Sequence, residues 1–306
     1  MDKMKFNRRE FLTALSLGTG YMMFSAPLTA CSRANSTDPF QLVKLGNSGL
    51  KTTLLGMGTG VHGYRRASNL TRQGIDESLE VFRHAYDVGI RMFDCADNYG
   101  THPLMAEAFQ YIPREEVTVI SKIWEREGSL PEPERPDADI VVERFLKELQ
   151  TDYIDLVQIH CMVDGDWTNV YQRQMDILED LKSKGKIKAH GVSVHTMEAM
   201  KSALASSWVD VIHVRINPYG IAMDLPEPEE VISVINQLHD SGKGVIGMKL
   251  IGGGKYKEDG EKIDNAVKFV MGMPSVDMIT VGFDMADQID NYSARMMQAL
   301  TEIYEA

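Results

Sequence analysis

Ile90-Arg91-Met92-Phe93-Asp94-Cys95-Ala96-Asp97-Asn98-Tyr99-Gly100 changes character halfway along. Ile90, Met92 and Phe93 read as a short apolar strand, and Gly89 before them ends a helix. From Asp94 the chain turns polar, and Tyr99 follows five residues on, in a turn closed by Gly100. Two later apolar runs also end on ionisable residues: Val117 to Ser121 leads into Lys122, and Ile154 to Ile159 into His160. Three strands thus deliver an Asp, a Tyr, a Lys and a His. In a parallel barrel the strand ends converge on one face, and that face holds the site.

The rest of the chain repeats the pattern. Phe40 to Lys44 and Leu50 to Thr53 flank Gly46-Asn47-Ser48-Gly49 and read as a hairpin across one end of a barrel. Leu54 to Met57 is the first barrel strand. Arg72 to Val88 reads as one helix, with Ile75, Leu79, Phe82 and Ala85 on one face. Further strand-then-helix units follow, with strands at Ile187–Val194, Val209–Ile216, Val245–Met248 and Met278–Val281. Eight such units predict an α/β fold, a (β/α)8 TIM barrel with an N-terminal β-hairpin. The rival is an open doubly wound sheet, which normally carries an early phosphate fingerprint. Gly56-Met57-Gly58-Thr59-Gly60 lacks the GxGxxG spacing and reads as a plain glycine turn. The loop Glu125 to Pro136, rich in Pro and Glu, reads as exposed and mobile.

Three domains of unequal kind are expected: an export signal at 1–30, a linker at 31–39, and one barrel domain at 40–306. Asn7-Arg8-Arg9-Glu10-Phe11-Leu12 precedes an apolar, small-residue stretch and then Leu28-Thr29-Ala30-Cys31. The paired arginines resemble a twin-arginine signal, and the last four residues a lipoprotein processing box. The expectation is an exported protein, periplasmic or at the cell surface, held to a membrane by lipid on Cys31. The net charge is −12 over 306 residues, and the cationic first 30 leave −14 for the remainder. So acidic a body argues against nucleic acid, which rewards clustered positive charge. Three cysteines make no disulfide framework, and Cys95 and Cys161 read as packed thiols. No histidine pair has metal-ligand spacing, so no metal site is expected.

The four residues suit carbonyl chemistry. Reduction by hydride needs a proton on the carbonyl oxygen, and Tyr99 can supply one. A nearby Lys122 ammonium is expected to lower the phenol from its reference value of about 10. Asp94 would hold Lys122 by a charge-assisted hydrogen bond. His160 would orient the substrate oxygen or share in proton transfer.

The chain resembles an aldo-keto reductase in four stretches. These are Phe93 to Gly100, Ile120-Ser121-Lys122, Asp155 to His160, and Lys186 to Ser193. The likeness runs from about Leu42 to the C-terminus. It implies a barrel that binds NADPH or NADH and takes a small carbonyl or sugar substrate. It also implies that Asp94, Tyr99, Lys122 and His160 are the catalytic set. On the cofactor side it points to Ser193, His213, Met248, Lys249 and Asn291. Here the sequence departs from the family. Val194 stands where an Asn is usual, His213 where a Gln is usual, and Met248 where a stacking Tyr is usual. Val281 to Gln288, where a 2′-phosphate clamp is expected, contains Asp284 and Asp287 but no basic residue. That implies a weakened NADPH preference and possible use of NADH. Trp124, Trp167 and Tyr219 are candidate lining residues. Two alternatives stand beside the reductase. One is a barrel with a retained nucleotide that a partner protein regenerates. The other is a non-catalytic binding protein on the same scaffold.

Overall fold

The computed structural model describes residues 36–305. Strands β1 (Leu42–Lys44) and β2 (Lys51–Thr53) form an antiparallel hairpin, with Val43 opposite Thr52. Eight parallel strands then close a barrel. They are β3 (Leu55–Gly58), β4 (Met92–Asp94), β5 (Thr118–Ile123), β6 (Ile154–Met162), β7 (Ile187–Val194), β8 (Val211–Arg215), β9 (Gly244–Met248) and β10 (Met278–Gly282). β10 closes the ring against β3, pairing Ile279 with Leu55.

The helices are α1 (Asn69–Gln73), α2 (Ile75–Val88), α3 (His102–Ala108), α4 (Ala138–Leu149), α5 (Trp167–Val170), α6 (Gln172–Ser183), α7 (Met197–Ala205), α8 (Pro228–Asp240), α9 (Gly260–Met271) and α10 (Ala286–Tyr304). Each long helix buries one stripe. In α4 the stripe is Ala138, Val141, Val142, Phe145, Leu146 and Leu149, at helical spacing. β5 and β6 are buried at every position, as strands covered on both faces must be. Burial of these stripes against the barrel is the main stabilising term, at roughly 25 cal/mol per Å² of apolar surface.

The hairpin lies under the N-terminal ends of the barrel strands. Thr53 Oγ1 accepts from the Arg91 backbone, Thr118 Oγ1 donates to Lys51 O, and Asn47 N donates to Gly242 O at 2.8 Å. The opposite, C-terminal mouth is left to the functional loops. Gly191 marks the tightest approach between strands. A Cβ there would lie 1.8 Å from Val211 O on β8, so no larger residue fits.

The expected helix over 72–88 is two helices. Gly74, at φ +116°, ends α1 and starts α2, a turn that apolar periodicity does not register. The polar stretch 164–169 contains the start of α5, whose Trp167 is wholly buried.

The membrane-attached, exported placement needs correction. Both cysteines that the structure describes, Cys95 and Cys161, are free and buried, and neither offers a surface thiol for a lipid. No described helix is long and apolar enough to cross a membrane. Cys31, the arginine pair and the processing box lie outside the described residues. No membrane partner therefore enters the functional reading.

Candidate active site

Asp94 is the last residue of β4, and Lys122 lies one residue before the end of β5. Asp94 pairs with Ile120, so β5 runs three residues beyond the end of β4 and Lys122 lies two residues past the pair. The Lys122 ammonium donates to Asp94 Oδ1 and, at 3.1 Å, to Cys95 O. Both side chains are almost fully enclosed. Burial alone would raise the Asp94 carboxyl, but Lys122 and His213 outweigh it and hold the group well below the usual carboxylate range.

His160 sits where β6 changes register against β7, between Ile159 and Met162. Such a bulge re-aims side chains at a barrel rim. Cys161, at φ +63°, is part of it, and its N–H donates to Ser193 Oγ at 2.7 Å. The His160 ring meets Tyr99 edge-on at 5.7 Å and Trp124 edge-on at 5.1 Å between centroids. Its Nδ1 is buried with no hydrogen-bond partner among the described residues. Burial, reinforced by the Lys122 charge, pushes the His160 pKa well down, so the imidazole is neutral at physiological pH.

Tyr99 ends a short 3-10 turn, Asp97–Tyr99. That turn is fixed by Asp97, which accepts from Arg66 Nε at 2.7 Å and from Arg144 Nη2 at 2.6 Å. The glycine stretch after β3 has a definite task here. A Cβ at Gly60 would fall 2.4 Å from Tyr99 Cζ, and one at Gly63 would fall 2.4 Å from Tyr99 Cδ1. The two glycines form a slot for the phenol ring. Lys122 Nζ lies 5.4 Å from the ring centroid. The expected lowering of the Tyr99 pKa is reversed. Burial, then the charge of Asp94, pushes it well above the ordinary 10.

The structure therefore brings Asp94, Tyr99, Lys122 and His160 together at the C-terminal mouth. It adds His213 to that group. His213 is completely buried on β8, its Nε2 lies 3.6 Å from Asp94 Oδ2, and neither ring nitrogen has a hydrogen-bond partner among the described residues. The signal for this was the strand placement of His213. Its partner, far away in sequence, was not visible.

The residues named for a nicotinamide dinucleotide are more scattered. Ser193 accepts from Cys161 N and keeps its own hydroxyl hydrogen for a ligand carbonyl. Gln158 Oε1, one turn of the pleat below His160, is buried without a partner among the described residues. Met248 is half-buried at the end of β9, with Lys249 next to it at φ +61°. Asn291 is exposed on α10, and its Oδ1 accepts from Arg295 Nε at 2.7 Å. Ahead of α10, Asp284 accepts from Asn69 Nδ2 and from Gln288 Nε2. A free hydroxyl donor, an unpaired amide oxygen and a thioether at the rim suit an amide-bearing ring, so the donor set fits a nicotinamide.

Trp124 belongs to the site, whereas Trp167 packs inside and donates its Nε1–H to Ala199 O. Tyr219 packs edge-on against Tyr256. The loop 124–136 is not loose. Arg135 donates to four backbone carbonyls, those of Arg126, Gly128, Glu132 and Glu134. Ser129 Oγ accepts from Asn98 Nδ2, and Leu130 is buried. Beneath the loop is a cavity of about 330 Å³, lined by Trp124, Glu125, Arg66 and Arg144 among others.

Burial pushes the Glu125 carboxyl up to about 7, against a smaller opposing pull from Arg135, and its Oε1 has no partner among the described residues. The folded state then holds a proton that the unfolded chain releases near its ordinary 4.5. Stability is accordingly lost as pH rises from that value through about 7. Glu125→Gln is expected to remove this loss and to stabilise the protein at pH 8 by about 1 kcal/mol, allowing for partial solvent screening. Urea melts at pH 5 and 8 check it. An equal stability gap between the two proteins at both pH values would refute the assignment.

Residues 55–294 match the family model described as the Aldo/keto reductase family. Aldo-keto reductase YhdN of Bacillus subtilis is 30% identical over 190 residues, covering 59% of this chain and 54% of that protein. The NADH-specific methylglyoxal reductase of Escherichia coli is 29% identical over 205 residues, covering 60% of each. The chain thus spans between about half and two thirds of the length of these curated relatives. The holo form of aldo-keto reductase AKR11C1 from Bacillus halodurans superposes with a TM-score of 0.67 over 86% of this chain and 96% of that one, at 18% identity, a likeness of fold. With the barrel in place and the family model covering most of its length, the chain belongs to the aldo/keto reductase family.

Proposed function

We propose that the protein reduces an aldehyde or ketone, or oxidises the alcohol in reverse, with Tyr99 as the proton donor. A nicotinamide dinucleotide supplies the hydride when bound. The observation that carries the reading is a protonated phenol beside a neutral imidazole, backed by a buried Lys–Asp pair. Tyr99 gives its proton to the carbonyl oxygen as negative charge develops there. His160, neutral, hydrogen-bonds the same oxygen and orients the substrate. Lys122, fixed by Asp94, lies 5.4 Å from the centre of the Tyr99 ring and closes that side of the pocket. Ser193 would hold the carboxamide and Met248 would cover one face of the ring by dispersion.

NADH is the preferred nucleotide in this reading. The resemblance puts a 2′-phosphate clamp in the stretch 281–288, and Asp284 and Asp287 there, with no basic residue, would repel that phosphate. The NADH-specific relative supports the same choice. Fluorescence titration of the protein with NADH and NADPH in parallel tests it. Saturable micromolar quenching, with NADH at least as tight, is expected. Tenfold tighter NADPH would overturn the preference. No binding of either, with no nucleotide released on denaturation, would overturn the reductase reading.

A further inference from the structure

Three cations, Arg126, Arg215 and Lys249, stand at or just past the C-terminal ends of β5, β8 and β9, outside the set Asp94, Tyr99, Lys122 and His160. Arg126 leaves the loop after β5 and reaches the end of β6, with its Nη1 3.4 Å from Cys161 O and 3.3 Å from Cys161 Sγ. The same guanidinium is 5.8 Å from the centroid of Trp124, the ring that abuts His160. Arg215 ends β8 and donates its Nη2 to His195 O, just beyond β7, at 2.6 Å. Lys249 follows Met248, the β9 residue in register with Arg215. Among the described residues, Arg215 alone of the three has a carboxylate within ion-pair distance, Asp224 at the end of its own loop. Arg126 and Lys249 have none.

Cys161 touches Arg126, His195 touches Arg215, and each feels all three charges. Burial pushes the His195 pKa down to about 3, and Arg215, Lys249 and Arg126 all push the same way. Burial raises the Cys161 thiol, and the same three cations pull it back. An isolated surface lysine is ordinarily just solvated. Three cations from three different strand ends, in a chain of net charge −12, are a different matter. Their mutual repulsion is a standing cost that a bound anion would relieve.

We propose that Arg126, Arg215 and Lys249 form an anion-binding subsite beside His160, and that the substrate is a carbonyl compound carrying a carboxylate or phosphate near its carbonyl group. The proposal rests on the reductase reading for the word substrate, but the anion site stands on its own geometry. Arg126 is the discriminating member, because it touches the His160 side of the mouth through Trp124 and Cys161. A dinucleotide pyrophosphate is also anionic, and it is the competing occupant.

Isothermal titration of the full chain with oxamate, a carboxylate next to an amide carbonyl, tests the proposal, with neutral acetamide as control and inorganic phosphate as a second anion. The titrations are run with and without saturating NADH. Oxamate is expected to bind at least tenfold tighter than acetamide, to weaken as salt is raised, and to keep its affinity with NADH present. Arg126→Gln is expected to weaken oxamate at least tenfold, and Arg126→Lys to recover part of the loss, with unchanged thermal melts for both. No binding of oxamate or phosphate overturns the subsite. So does displacement of oxamate by NADH together with weaker NADH binding in Arg126→Gln, which would assign the cations to the pyrophosphate. The two readings fail separately. A neutral aldehyde reduced as efficiently as glyoxylate, with no oxamate binding, ends the subsite and leaves the reductase. Oxamate binding without turnover of any carbonyl ends the reductase and leaves the anion site.

Discussion

Tyr99→Phe is expected to lower kcat for carbonyl reduction by about 10³-fold, within the range that a positioned proton donor contributes. The fold and nucleotide affinity should persist, because the slot formed by Gly60 and Gly63 accepts a phenyl ring as it does a phenol. The loss should fall on kcat, since the proton is needed only as charge develops on the oxygen. His160 cannot substitute, because burial holds it neutral and it has no acidic proton to give at pH 7. The wild-type profile has a matching signature. The Tyr99 pKa lies well above 10, so the reductive rate should show no alkaline fall from this group below that value. Steady-state kinetics on a panel of aldehydes checks both points. A Tyr99→Phe enzyme within threefold of wild type would remove Tyr99 from the mechanism.

Lys122→Met should be the most destabilising change at the site. It leaves Asp94 charged, enclosed and without its ammonium, and breaking a buried pair in this way costs about 3–5 kcal/mol. At this chain length that corresponds to roughly 10 °C in melting temperature. The pH dependence has a definite sign. In the wild type, the folded Asp94 pKa is held below its unfolded value near 3.8, so its contribution is present above that pH and is lost only as pH falls toward the folded value. Without Lys122, burial dominates and Asp94 takes up a proton on acidification. The gap between variant and wild type should therefore narrow from pH 7 to pH 5. Adding Asp94→Asn to Lys122→Met should recover most of the loss. Urea melts of the single and double variants at both pH values decide it. A single variant as stable as wild type at pH 7 would mean that the pair is dispensable.

The parts of this site that could be read from sequence are those carried by strand ends. Asp94, Lys122 and His160 each terminate an apolar run, and a parallel barrel aligns such ends by construction. What could not be read depends on residues that meet only in three dimensions. His213 is 119 positions from Asp94, and no local pattern couples them. The glycines near residue 60 look like an ordinary turn until the Tyr99 ring is found between them. The direction of the Tyr99 pKa depended on how fully the phenol is enclosed, which composition does not reveal. Gly74 divides a helix whose apolar stripe runs on undisturbed, so periodicity alone joined the two pieces. Trp167 sits in a polar stretch yet turns inward, because its indole N–H finds a backbone carbonyl on α7.

The way one guanidinium gathers the loop over the mouth has a thermodynamic consequence. Arg135 ties four carbonyls of its own loop, so the rim is ordered before any ligand arrives. Ordering a flexible side chain at an interface costs about 0.5–1.5 kcal/mol each, and a loop of this length held loosely would levy that cost at every encounter. Here it is met once, when the chain folds. Affinity at this mouth is thus set by the contacts a ligand makes. A ligand with few polar groups gains no extra grip by induced closure, so discrimination between small molecules falls to the fixed charges and rings already in place.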